Sequence, residues 1–216
     1  MAQEPDSRKA AASTRGKQIG LIILSIVWLI LVTSLTVGMI NYANSPGKGP
    51  KPPKKWPKNI QLALFEDQST IMLFAHPHCP CTKATLGELE EIMARCQSLA
   101  SAYVVLIWPV ETGRDWVQTD IKNIASIIPD VEVIIDSAGQ LTRAFNCETS
   151  GSTLLYNETG TLVFHGGITP SRGHMGDNVG RDVIEDFLQG RDIFANTSPV
   201  FGCGLFDSIC TMGDVN

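Results

Sequence analysis

Thr70-Ile71-Met72-Leu73-Phe74-Ala75-His76-Pro77-His78-Cys79-Pro80-Cys81 runs from an uninterrupted apolar stretch straight into a pair of cysteines. The apolar part is too short for a buried helix and reads as a strand covered on both faces. After the cysteines, Leu89, Ile92, Met93 and Cys96 recur at the i, i+3, i+4, i+7 spacing of one helix face. The cysteines therefore sit at a strand-to-helix junction. Pro80 suits a first helical position, where a backbone N–H would lack a partner anyway, so the pattern predicts Cys79 as the N-cap and Cys81 in the first turn. Unpaired N–H groups and the helix dipole favour a thiolate there and lower its pKa. A pair of structural cysteines at a tight turn is the plainer reading. Two cysteines one residue apart at a helix start favour reactive thiols.

The rest of the domain alternates in the same way. Residues 103–108 form a second apolar run, stopped by Pro109. Val117, Ile121, Ile124, Ala125 and Ile128 mark a second helix face, ended by Pro129, and residues 131–135 give a third strand. A short helix over 138–145 follows, then a hairpin of 153–156 and 161–165 around Asn157-Glu158-Thr159-Gly160. Val183, Ile184, Phe187 and Leu188 mark a last helix, and 60–65 allows an extra leading strand. Alternating strands and helices predict an α/β domain with a central mixed sheet, helices on both faces and an antiparallel edge.

Towards the N-terminus, residues 19–40 contain no charge. As a helix they span roughly 33 Å, which matches a hydrocarbon core. A signal peptide would have a shorter apolar region, although Ala43-Asn44-Ser45 offers a weak cleavage site, so an uncleaved anchor is the expectation. Residues 1–18 read as a disordered cytoplasmic tail. Residues 41–58, with five prolines and five lysines, read as a semi-rigid stalk. The folded domain is expected over 59–190 and a C-terminal extension over 191–216. Charge nearly cancels across the anchor: Arg8, Lys9, Arg15 and Lys17 precede it, and Lys48, Lys51, Lys54, Lys55 and Lys58 follow it. A thiol-pair site suits an oxidising compartment, which places the domain on the periplasmic or extracellular side of the cytoplasmic membrane in a single-pass protein. A net charge of −5 argues against a nucleic-acid partner.

Leu73 to Cys79 resembles the strand and aromatic-rich approach to the first active-site cysteine of the thioredoxin superfamily, in its membrane-anchored TlpA/ResA/RedB-like branch. Thr153-Leu154-Leu155-Tyr156-Asn157-Glu158-Thr159-Gly160 resembles the strand and turn after that family's cis-proline, and Phe164-His165-Gly166-Gly167-Ile168 its last strand. Residues 114–135 match the branch's helix-and-strand insertion. The resemblance implies a thioredoxin-like fold and a thiol-disulfide oxidoreductase that needs no cofactor. It makes Cys79 the nucleophile and Cys81 the resolving thiol, with His78 and Arg172 stabilising the thiolate. Ser152, Thr153, Gly167 and His174 would border the substrate groove, His174 as a proton donor. Partners would be protein thiols and disulfides, including membrane-bound redox or cytochrome and oxidase maturation proteins. Two departures stand out: the second cysteine comes one place early, with Thr82 where it is usual, and Ser152 replaces the cis-proline.

Those departures raise an alternative. His76, His78, Cys79 and Cys81 form His-x-His-Cys-x-Cys, and imidazole with thiolate suits Cu(I) or Zn. The chain would then be a thioredoxin-like metallochaperone. A third reading is a redox-inactive module with a permanent Cys79–Cys81 bridge. Cys96 and Cys147 read as buried thiols. Cys203, in Pro199-Val200-Phe201-Gly202-Cys203-Gly204, reads equally as a resolving thiol, a metal ligand or a partner for Cys210. There is no Cys-x-x-Cys-His, P-loop or dinucleotide fingerprint.

Overall fold

The structure, a computed structural model, describes residues 7–109 and 111–206. It divides into two units, residues 1–42 and 43–216. In the first, helix α1 (Ser7–Ala43) begins well before the apolar run. The polar residues expected to be disordered are thus helical from Ser7 onward. Its segment Lys17–Ala43, 27 residues or roughly 40 Å of helix, is long and apolar enough to cross a membrane.

The second unit is built on a five-stranded sheet in the order β3-β2-β1-β4-β5. β1 (Ser69–Ala75), β2 (Ala100–Trp108) and β3 (Val131–Ser137) run parallel, and β4 (Ser152–Tyr156) and β5 (Leu162–Gly166) complete it antiparallel. β1 is central and buried along its whole length. Its side chains alternate between two apolar layers. Ile71 and Leu73 face α2 (Thr82–Arg95), α3 (Asp120–Ile127) and α5 (Val179–Leu188), through Leu86, Leu89, Ile92, Ala125, Val183 and Ile184. Met72 and Phe74 face Phe145, at the end of α4 (Gln140–Ala144), with Tyr103, Leu154 and Tyr156.

Three expectations change. The helix expected over 117–128 is broken into a 3-10 turn, Arg114–Val117, and α3, because Gln118 and Thr119 leave helical geometry between them. Residues 60–65 form no strand. They lie across the second layer, where Ile60, Leu62, Leu64 and Phe65 pack, and the Tyr103 hydroxyl donates to Ala63 O. Phe65 stacks on Tyr103 with centroids 4.4 Å apart, so these residues cover a face that one short helix leaves open. The expected stalk is also partly docked: Trp56 meets Phe145 and Tyr156 edge-on at 5.3 and 5.2 Å, and Gly47 N donates to Val200 O at 2.8 Å. Trp56 supplies the apolar area that a proline-rich segment otherwise lacks.

One buried ion pair ties α5 to α2. Glu88, fully buried, accepts from Arg181 at 2.5 Å and from Gly176 N at 2.6 Å, and Arg181 also reaches Glu91 at 3.3 Å. Glu88→Ala leaves the buried guanidinium without its main partner and is expected to cost about 3 kcal/mol. Thermal unfolding of the full chain followed by circular dichroism checks this; an unchanged midpoint contradicts it.

Candidate functional site

The chain leaves β1 at Ala75 and turns twice before the helix. Cys79 N donates to His76 O at 3.1 Å and Thr82 N to Cys79 O at 3.0 Å. That tight turn takes the Cys79 carbonyl, so the helical ladder starts later, and Cys81, not Cys79, is the N-cap of α2. Both cysteines still lie at the strand-to-helix junction. Cys79 is only 1% exposed, whereas Cys81 is partly exposed.

The C-terminal extension reaches Cys79. Residues 196–205 return along the domain: His165 N donates to Asn196 O, Ser150 N to Cys203 O at 2.8 Å and Leu205 N to Glu148 O at 2.8 Å. This strap puts the Cys203 sulfur 3.1 Å from that of Cys79. Val200 and Leu205, both buried, anchor it on either side. At Gly202 the two backbones meet so closely that a Cβ would overlap the Ser150 carbonyl oxygen, which is why glycine stands there. Ser150 also holds the other side of the site. Its hydroxyl accepts from His76 N at 3.0 Å and meets the Thr82 hydroxyl at 3.0 Å.

Three thiols therefore share one site. Hydrogen bonding with Cys203, and secondarily with Cys81, holds the Cys79 thiol far below its ordinary range and outweighs the opposing effect of burial. The Cys81 thiol is pushed far above it by the same neighbours, Cys203 first, and by desolvation. The balance of these contacts favours the ionised form at Cys79 over Cys81. Cys96 and Cys147 are both buried, with thiols raised by desolvation, as expected of inert cysteines.

The other expected site residues are placed as follows. His78 Nε2 lies 2.8 Å from Trp116 O, and its ring packs on Trp116 with centroids 4.7 Å apart. His76 is buried, its Nδ1 accepting from His78 N at 3.2 Å, and it too contacts the Trp116 ring. Arg172 donates to Gly202 O and so grips the strap beside Cys203. His174 is exposed, with Nδ1 2.7 Å from Arg172 O. Ser152 and Thr153 are fully buried and bonded to Thr149 O and Gly151 O, and Gly167 packs beneath Pro199 and Val200. The open surface next to Cys79 is instead a cleft of about 170 Å³ lined by His78, Cys79, Pro80, Lys83, Thr119 and Asp120. Among the described residues, no group of three or more His, Cys, Asp or Glu is disposed to hold a metal ion. Cys210 lies outside the described residues.

Cysteines between a central parallel strand and its following helix, with an antiparallel β4–β5 hairpin alongside β1, form a familiar arrangement. The fold is thioredoxin-like. No family model matches the sequence, and no curated protein matches it. Solved structures do. A hypothetical protein of Sinorhizobium meliloti superposes with a TM-score of 0.56 at 13% identity, over 74% of this chain and 97% of its own. An uncharacterized conserved protein from Geobacillus kaustophilus gives 0.55 at 17% identity, over 75% and 92%. The exposed lipoprotein thioredoxin of Streptococcus pneumoniae gives 0.41 at 18% identity, over 58% and 87%. For the first two, at these identities, the likeness is one of fold. In this chain the fold carries a third thiol, Cys203, on the strap of residues 196–205. Sequence reasoning gave Cys203 no single role and passed over Ser150 and Trp116. The Gly202-Cys203-Gly204 flanks were the available signal, since they allow close backbone approach.

A depressed Cys79 pKa means its thiolate persists as pH falls, well below the ordinary cysteine value of about 8.5. Reduced protein is expected to keep one thiolate's ultraviolet absorbance at about pH 6, and Cys79→Ser to lose it. Cys203→Ala removes the contact that lowers the Cys79 pKa most and is expected to shift that titration upward. A titration near the ordinary value in the wild type would refute the assignment.

Proposed function

We propose that this chain is a membrane-tethered thiol-disulfide oxidoreductase of the TlpA/ResA/RedB-like kind, with its domain on the extracytoplasmic side. The observation that carries the reading is the Cys79 sulfur 3.1 Å from that of Cys203 at a strand-to-helix junction, a contact that lowers the Cys79 pKa and so favours its thiolate. A thiolate is the attacking species in disulfide exchange, and a second thiol in contact allows the mixed disulfide to be resolved. The sequence assigns that resolving role to Cys81. His78 and Arg172 act through the loop and strap they hold, on Trp116 O and Gly202 O. The apolar helix α1 supports the tether, and tethering concentrates the site for membrane-bound substrates, such as thiol proteins of cytochrome or oxidase maturation.

Thiol trapping with a mass tag tests the reading on the full chain in detergent. Oxidised glutathione is expected to remove two titratable thiols and dithiothreitol to restore them, and Cys79→Ser to slow mixed-disulfide formation at least about a hundredfold. No change of thiol count in either reagent would sink it. The rival copper or zinc reading, through His76, His78, Cys79 and Cys81, is settled by metal analysis of the anaerobically purified, reduced chain. The oxidoreductase reading expects far less than one metal per chain, and a stoichiometric ion lost in Cys79→Ser would favour the rival.

A further inference from the structure

Within that oxidoreductase reading, on which this inference rests, we propose that Cys203 is the resolving thiol and that Cys79–Cys203 is the disulfide the protein forms. Four features of the structure lead there. The Cys79 and Cys203 sulfurs are 3.1 Å apart, so bonding at about 2.05 Å requires them to close by only about 1 Å. Cys203 is held and not merely nearby. Buried Val200 and Leu205 flank it, its carbonyl accepts from Ser150 N, and Arg172 grips Gly202 beside it. Ser150 fixes both partners at once, since the same residue bonds the strap through its N–H and the Cys79 loop through its hydroxyl. Finally, Cys81 is separated from Cys79 by a single residue, and a bridge between them would close a small ring within the turn where Thr82 N already bonds Cys79 O.

The step is a two-electron exchange. The Cys79 thiolate attacks one sulfur of a partner disulfide, forming a Cys79–partner bond and releasing the partner's other sulfur as a thiolate. Cys203, losing its proton, attacks the Cys79 sulfur. The Cys79–Cys203 bond forms, the Cys79–partner bond breaks, and the second partner sulfur leaves as a thiolate. The proton shed by Cys203 goes to a released partner thiolate. The partner disulfide is reduced to one thiol and one thiolate, which takes its proton from water, while Cys79 and Cys203 are oxidised, and the reverse sequence oxidises a partner dithiol. Cys81 keeps its proton throughout and serves as a hydrogen-bonding neighbour of both sulfurs.

The test uses the full chain in detergent, with Cys210→Ser as the background so that only Cys203 remains in the C-terminal tryptic peptide. Protein equilibrated with oxidised glutathione is acid-quenched, alkylated, digested and mapped by mass spectrometry. The expected result is a crosslink between the peptide carrying Cys79 and Cys81 and the peptide carrying Cys203. It should persist in Cys81→Ser and vanish in Cys79→Ser. In Cys203→Ser, the fraction of chains with an internal disulfide should fall at least about tenfold, while glutathione-trapped Cys79 accumulates. A Cys79–Cys81 loop link in the wild type, with Cys203→Ser cycling normally, overturns the proposal but leaves the oxidoreductase reading intact. No disulfide and no glutathione adduct in any variant overturns both. Circular dichroism of each variant shows that a lost crosslink is not a lost fold.

Discussion

The return of the C-terminal strap onto the 148–150 segment is the constraint on which the site depends. Two backbone hydrogen bonds, Ser150 N to Cys203 O and Leu205 N to Glu148 O, lay the strap beside the entry to β4. A side chain at Gly202 would collide with Ser150, so the close approach exists because the residue before Cys203 has none. Removing that approach moves Cys203 away from Cys79 and takes away the hydrogen bond that most lowers its pKa. The reach of Cys203 to Cys79 thus depends on one close backbone contact.

The electrostatics follow from the same geometry. A buried charge is tolerated only when hydrogen bonds replace its lost hydration. Hydrogen bonding with two thiols favours the Cys79 thiolate despite its burial, whereas hydrogen bonding with Cys203 and Cys79, and then desolvation, drive the Cys81 thiol the other way. The helix N-terminus, which explains many reactive cysteines, is a lesser influence here. The first helical residue is Thr82, and the Cys79 carbonyl is spent on the turn before it.

Much of the fold was legible because buried parallel strands are apolar throughout and their helices repeat every three to four residues. β1, β2, α2, the β4–β5 hairpin and α5 all lie where the pattern set them. What the pattern could not convey was contact at long separation. Trp56 in a proline-rich segment and residues 60–65 looked like a stalk and a strand, yet both complete an apolar layer that only one short helix covers. Cys79 and Cys81 are legible as a pair because they are adjacent. Cys203 lies 124 residues from Cys79, and nothing local says that the strap carrying it folds back. Ser152 and Thr153 were expected at the groove because they stand where the resembled family has its cis-proline. The strap and the strand ladder bury them instead.

Amide hydrogen exchange at Ser150 and Leu205 in the reduced full chain tests the central claim most directly, because both N–H groups are protected only if the strap is docked. The account predicts exchange slowed by orders of magnitude relative to the free-peptide rate at both positions, and strong loss of that protection in Gly202→Val. Free-peptide exchange at both amides in the wild type would mean that the strap does not hold Cys203 against Cys79, and would contradict the account.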